Sequence, residues 1–145
     1  MRLSPIVLLC IAACARNRDA EAQTLVDDLR SLDDAAEEAV HTSPNESGLE
    51  KAEALVKAKE ADLHTRVLAV QSASLTPAAS TAWNAASAKN VLSAQNVRDD
   101  VYNAVLKTNP PLRARANKLA LELCAITETP TYATQCAPFR NPPAE

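Results

Sequence analysis

Four stretches of the chain carry apolar residues at intervals of three and four, the spacing that places them on one face of an α-helix. The first stretch, from about Asp19 to His41, has the stripe Leu25, Leu29, Leu32, Ala36 and Val40. The second, after Gly48, has Ala52, Val56, Leu63, Val67 and Val70, with Leu55 and Leu68 beside them. The third has Trp83, Ala86, Asn90, Ala94, Val97, Val101 and Val105, and the fourth has Leu112, Ala116, Leu119, Leu123 and Ile126. The pattern predicts an all-α protein.

Polar residues and prolines separate these helices. Residues 42–48 have the composition of a turn, and Ser47 with Glu50 matches a capping box. A second break covers residues 72–76, and Asn109 precedes a proline pair at the third. Four prolines after residue 129 predict a non-helical tail. We therefore expect an elongated antiparallel helical bundle over residues 19–128, with three long helices and a shorter fourth, followed by a Pro-rich tail over residues 129–145.

The composition excludes several kinds of site. Gly48 is the single glycine of the chain. Phosphate-cradling loops and nucleophile elbows need several glycines, so neither can be written on this sequence. The formal net charge of −3 argues against nucleic-acid binding, because that binding depends on cationic neutralisation of phosphate.

The N-terminus has the layout of an export signal, with Arg2 before a short apolar run and polar residues from Ala15 onward. The run is about half the roughly 20 residues that span a bilayer. Its last residues, Ile11-Ala12-Ala13-Cys14, resemble the lipobox of bacterial prolipoproteins.

This resemblance implies that residues 1–13 are removed and that Cys14 carries diacylglycerol and an acyl chain such as palmitate. Residues 14–18 would then form a lipidated tether, and the protein would be held in the bacterial cell envelope. Ala15 after the cysteine favours the outer membrane over the inner one. The alternative is an ordinary signal cut after Ala15, which would release a non-lipidated secreted or periplasmic protein.

Cys124 and Cys136 remain after the signal region is removed, and an oxidising envelope favours a disulfide between them. A zinc site is the alternative, but it needs about four ligands and no histidine lies nearby. A redox dithiol would more often have two residues between its cysteines. We therefore predict a structural disulfide that ties the tail to the fourth helix.

The densest group of titratable residues lies on the first helix and is acidic: Asp27, Asp28, Asp33, Asp34, Glu37 and Glu38. Charge runs usually coat a solvated helix face, here paired with Arg113, Arg115 and Lys118 of the fourth helix. The alternative is a docking face for a basic protein partner. Adjacent carboxylates on a helix diverge, so we expect no metal site there.

The other polar and aromatic candidates have structural interpretations. His41 and His64 would lie roughly 23 Å apart along a helical hairpin, too far to share a metal. Trp83 is predicted in the core, and Asn90 either fixes the register of a buried seam or lies at the surface. Tyr132 and Phe139 are expected to pack on the fourth helix.

No nucleophile–base or acid–base set can be assembled, so the sequence predicts a protein that is not an enzyme and has no cofactor. The expected function is that of a membrane-anchored envelope lipoprotein acting as a structural, adaptor or accessory binding subunit. Its expected partners are membrane lipid, through Cys14, and a protein of unknown identity. The alanine-lined seams can also accept a second copy of the chain. The alternative function is that of a non-lipidated inhibitor or chaperone-like binder.

Overall fold

The computed structural model describes residues 5–142, with side chains from Arg18 onward. Four helices form the bundle: α1 (Pro5–Thr42), α2 (Glu46–Gln71), α3 (Pro77–Val105) and α4 (Pro110–Ala125). The tail adds a 3-10 turn (Pro130–Tyr132) and a short helix α5 (Ala137–Arg140). This confirms the predicted all-α bundle, and the described range contains no strand.

The bundle consists of two antiparallel hairpins, α1–α2 and α3–α4, packed side by side. Helix α1 packs on α2 and α3, whereas α4 packs on α3 and α2. Between the hairpins the helices run parallel, since contacts along α1 and α3 follow the same order: Asp19 with Thr76, Asp33 with Asn90, and His41 with Asp100. Helices α1 and α4 therefore lie at opposite corners, and the segment from α2 to α3 crosses one end of the bundle diagonally.

The core follows the predicted stripes. Every residue of the four stripes is buried except Val105, which is half-buried. Leu55 and Leu68, which flank the second stripe, are 37% and 44% exposed. Trp83 is buried as predicted, and Asn90 is fully buried in the seam. Periodicity therefore located most of the core, which also includes residues outside the stripes such as Val26, Leu49 and Ala120.

Helix α1 begins at Pro5, not at about Asp19 as predicted. Proline is tolerated at the first helical position, and no further proline or glycine interrupts the chain before Pro44. Residues 14–18, predicted as a tether, therefore continue the backbone of α1. The predicted signal peptide lies partly outside the described residues, and the side chain of Cys14 lies wholly outside them.

Asn45 caps the N-terminus of α2, and the predicted capping box at Ser47 is wrong. The Asn45 Oδ1 accepts hydrogen bonds from the backbone N–H groups of Ser47 (2.9 Å) and Gly48 (3.4 Å). Gly48 lies inside α2 against the end of α1, where a Cβ atom would come within 1.8 Å of the Ser43 carbonyl oxygen. The lone glycine is therefore required for close approach of the two helices.

Two helices end earlier than predicted. Helix α3 ends at Val105 instead of Thr108, and Leu106 after it has a positive φ of 49°. Helix α4 ends at Ala125 instead of near Glu128. Residues 126–128 continue as a tighter turn, in which each N–H donates to the carbonyl three residues earlier.

The predicted disulfide between Cys124 and Cys136 is confirmed. The expectation of a wholly non-helical tail is wrong, because Pro130 and Pro138 occupy first-turn positions, where proline is tolerated. Phe139 is buried, and its carbonyl accepts a hydrogen bond from Asn117 Nδ2 at 2.6 Å. Tyr132, predicted to pack on α4, is instead 46% exposed.

Candidate functional site

The predicted acidic docking face is divided by the fold. Asp33 is 1% exposed and belongs to the core. Four of the other five contact polar neighbours as follows: Asp27 with Gln23, Asp28 with Arg66, Glu37 with Asn96, and Glu38 with Thr42. Asp34 pairs with Lys89. A docking role for the five outer residues stays a prediction.

The expected pairing of this face with α4 is wrong, because α1 and α4 lie at opposite corners of the bundle. Arg115 of α4 instead forms a bidentate pair with Glu53 of α2, with both N–O distances at 2.7 Å. Arg115 holds the pKa of the Glu53 carboxyl below its ordinary value, chiefly by hydrogen bonding. This pair joins α2 to α4.

A buried polar network joins α1, α3 and the end of α4. Asn90 Nδ2 donates to Asp33 Oδ1 at 2.8 Å, and the Thr127 hydroxyl donates to Asn90 Oδ1 at 2.9 Å. Gln135 Nε2, from the tail, donates to the same hydroxyl at 3.1 Å. The network fixes the register between the hairpins, which is the role predicted for a polar residue at position 90.

Asp33 is the one strongly perturbed carboxyl of this network. Burial raises its pKa from 3.8 to about 7, although the hydrogen bond from Asn90 and the charge of Lys89 act in the opposite direction. Its Oδ2 has no hydrogen-bond partner among residues 18–142, whose side chains are described. The protonated form is therefore the one that suits this position at mildly acidic pH.

The two histidines lie apart, as predicted. His41 is exposed at the end of α1, and its Nδ1 lies 3.1 Å from Asp100 Oδ2. His64 is half-buried on α2, and its Nδ1 lies 3.1 Å from the Ile126 carbonyl oxygen. Among the described residues, no group of three or more His, Cys, Asp or Glu side chains is placed to hold a metal ion.

An open groove of about 890 Å³ lies along the line where α2 meets α4 and the tail. One wall is formed by α2: Glu60, Ala61, His64 and Leu68. The opposite wall is formed by α4 and the residues after it: Glu122, Ala125, Ile126, Glu128, Thr129 and Pro130. Ala133 and Arg140 of the tail complete it. We refer to this feature as the α2–α4 groove.

The α2–α4 groove combines apolar surface with polar groups that have no protein partner. Leu68 exposes 44% of its surface there. Thr129 is 4% exposed, and its buried hydroxyl has no hydrogen-bond partner within the described part of the chain. The groove could not be recognised from the sequence, since its walls come from distant segments. The available signal was Leu68, an apolar residue beside the predicted stripe.

Comparison of the chain with protein-family models, curated proteins and solved structures gives no match. In the described part of the chain, none of the helices is long and apolar enough to cross a membrane.

Proposed function

We propose that this protein is an envelope lipoprotein, anchored through Cys14, whose helical bundle acts as an adaptor or accessory binding subunit. The anchor is supported by Ile11-Ala12-Ala13-Cys14 and its resemblance to a lipobox. An acyl-anchored domain needs no membrane-spanning helix, because its lipid chains supply the membrane affinity.

The observation that carries the binding role is the α2–α4 groove. The predicted stripes are buried in the core, whereas this groove leaves apolar surface, including Leu68, open beside the tail. Concave apolar surface with a few polar groups is the usual form of a binding site. The protein therefore acts by contact, and the groove is its contact surface.

The anchor is tested by metabolic labelling with palmitate in the native host. The wild-type protein should incorporate label, and Cys14→Ser should not. An unlabelled wild-type protein with a free N-terminus at residue 16 would instead support the secreted alternative.

The binding role is tested by photo-crosslinking in cells. A crosslinking amino acid at Leu68, in the groove, should capture one defined neighbour. The matched control carries it at Leu92, which is 58% exposed on α3 and does not line the groove. Equal crosslinking patterns at the two positions would reject the groove as the contact surface.

A further inference from the structure

The polar groups that the α2–α4 groove leaves free are hydrogen-bond acceptors. The Ile126 carbonyl can only accept, so His64 Nδ1 carries the hydrogen of their 3.1 Å bond. In the neutral ring, Nε2 is then an acceptor, and no described residue bonds to it. A ligand that contacts this nitrogen must therefore bring a hydrogen-bond donor.

The charged residues of the groove also favour a ligand that donates hydrogen bonds. Glu60 has no ion-pair partner among the described residues, and Glu122 has only Lys118 at 3.6 Å, one helical turn away. The single cation of the lining, Arg140, is held by Glu128 and also donates to the Ala133 carbonyl at 3.2 Å. The lining therefore has an excess of negative charge, which favours a cationic ligand.

The shape of the groove limits what carries the cation. Its α2 wall runs from Glu60 to Leu68, roughly 12 Å or about two helical turns. Its apolar lining includes Ala61, Ala125 and Ile126, and Leu68 is exposed at one end. Grooves between two helices accept the apolar face of a third helix, with contacts at positions i, i+3, i+4 and i+7.

We propose that the α2–α4 groove binds an amphipathic helical segment of a partner protein that presents one Lys or Arg within its apolar face. Its apolar residues cover Leu68 and the alanines, and its cation lies between Glu60 and Glu122. An N–H group of that cation donates to His64 Nε2, which lines the same groove. This inference rests on the proposed binding role and names the chemistry of the partner.

The test uses blocked 12-residue amphipathic helical peptides as probes, titrated against the full chain by calorimetry. The probe has Leu at i, i+4 and i+7 and Lys at i+3, and the matched peptides carry Arg, Gln or Glu at that position. We expect the Lys and Arg peptides to bind at least tenfold more tightly than the Glu peptide. Their affinity should fall as salt rises. Equal affinities, or no binding of any peptide, would overturn the proposal.

Protein variants locate the binding. The double variant Glu60→Gln/Glu122→Gln should lose at least tenfold in affinity for the Lys peptide. The matched control, Glu21→Gln/Glu50→Gln, changes two exposed glutamates outside the groove and should bind as the wild type does. In ¹⁵N spectra of the imidazoles, the Lys peptide should shift His64 Nε2 and leave His41 unchanged. Wild-type affinity in the groove variant would show that the peptide binds elsewhere.

A free amine tests whether the cation belongs to a protein segment or to a small-molecule ligand. Hexylamine carries the same ammonium group on a short apolar chain and should bind at least tenfold more weakly than the Lys peptide. Equal or tighter binding of hexylamine would assign the groove to a small-molecule ligand and reject the helical segment.

Failure of this inference differs from failure of the proposed function. If crosslinking at Leu68 captures a neighbour through an uncharged or acidic segment, the binding role stands and the cationic partner is rejected. If the Lys peptide binds but Leu68 captures no neighbour in cells, the binding role fails instead.

Discussion

The two hairpins meet along two seams, one between α1 and α3 and one between α2 and α4, and the contacts along these seams differ. The α1–α3 seam is joined from Asp19 to His41 by polar contacts, with Asp33 and Asn90 at its buried centre. The α2–α4 seam is joined by the Arg115–Glu53 pair and by the bond from His64 to Ile126. Helix α4 ends at Ala125, whereas α2 continues to Gln71. The last turns of α2 therefore lose their neighbour, and the α2–α4 groove opens there.

This difference separates stability from binding. A seam with a buried polar network specifies one register, because any slip leaves polar groups unpaired. A seam that opens on one side keeps apolar surface for a partner. Variants in the α1–α3 seam should therefore change the free energy of unfolding, and variants in the groove should change ligand binding.

The largest effect is expected from Asp33→Asn at alkaline pH. The pKa of Asp33 is about 7 in the fold and 3.8 in an unperturbed aspartate, so the proton stabilises the fold fully below about pH 4. That stability is lost as pH rises toward 7 and above, by as much as about 4 kcal/mol at about 1.4 kcal/mol per pKa unit. Asparagine stays neutral, so the variant should be more stable than the wild type at pH 8.5.

Denaturant unfolding at pH 5 and pH 8.5 checks this prediction. Asp34→Asn is the matched control, since Asp34 is exposed and adjacent in sequence. The wild-type protein should lose stability relative to Asp33→Asn between pH 5 and pH 8.5. If it does not, Asp33 ionises in the folded protein without an energetic cost.

The disulfide supports the groove side of the molecule. Replacing Cys124 and Cys136 together by Ala should lower the free energy of unfolding by about 3 kcal/mol, because the closed loop no longer restricts the unfolded chain. Hydrogen exchange should speed up over residues 126–136 more than at the α1–α3 seam. Uniform acceleration across both seams would contradict this local role.

Removing the centre of the network tests the α1–α3 seam directly. Asn90→Ala leaves Asp33 and Thr127 buried without their shared partner, which should cost about 2 kcal/mol. The control is Asn96→Ala, whose exposed side chain donates to Glu37 at 3.3 Å and should contribute less than about 0.5 kcal/mol. Equal effects in urea unfolding would mean that the buried network does not hold the seam.

The smallest effect is expected at the ion pair of the α2–α4 seam. Glu53 and Arg115 each expose 32% of their side chains, so solvent screening limits the pair to about 0.5 kcal/mol. The pKa of Glu53 is lowered in the fold. The stabilisation by the pair is therefore fully present at pH values above the ordinary pKa of a glutamate, and it is lost as the pH falls through the lowered pKa. Thermal unfolding of Glu53→Gln should show a small loss of stability at pH 7, and the loss should shrink as the pH is lowered below the ordinary pKa of a glutamate.

The sequence predicted the helices because each stripe repeats with the period of a helix, and it predicted the disulfide because two cysteines remained beyond the N-terminal region. It did not predict which helices become neighbours. Sequence position places α1 beside α2, but nothing local selects α3 over α4 as the second neighbour of α1. The acidic residues were wrongly paired with α4 because the sequence does not specify the second neighbour of α1.

The groove was not predicted for the same reason, since the sequence does not specify which helices become neighbours. Glu60 and Glu122 are 62 positions apart, and only the parallel packing of α2 and α4 brings their helices together. Asn90 was recognised as unusual because a polar residue stood on an apolar stripe. Its partners Asp33 and Thr127 could not be identified, since they depend on the register between the hairpins.

The continuity of α1 has a consequence for geometry at the bilayer. A helix without a break from residue 14 to Asp33 holds these positions roughly 28 Å apart. If Cys14 is acylated, no flexible joint lies between the lipid and the bundle. The binding surface would then stand at a set height above the headgroups, and a partner would have to present its segment at that height.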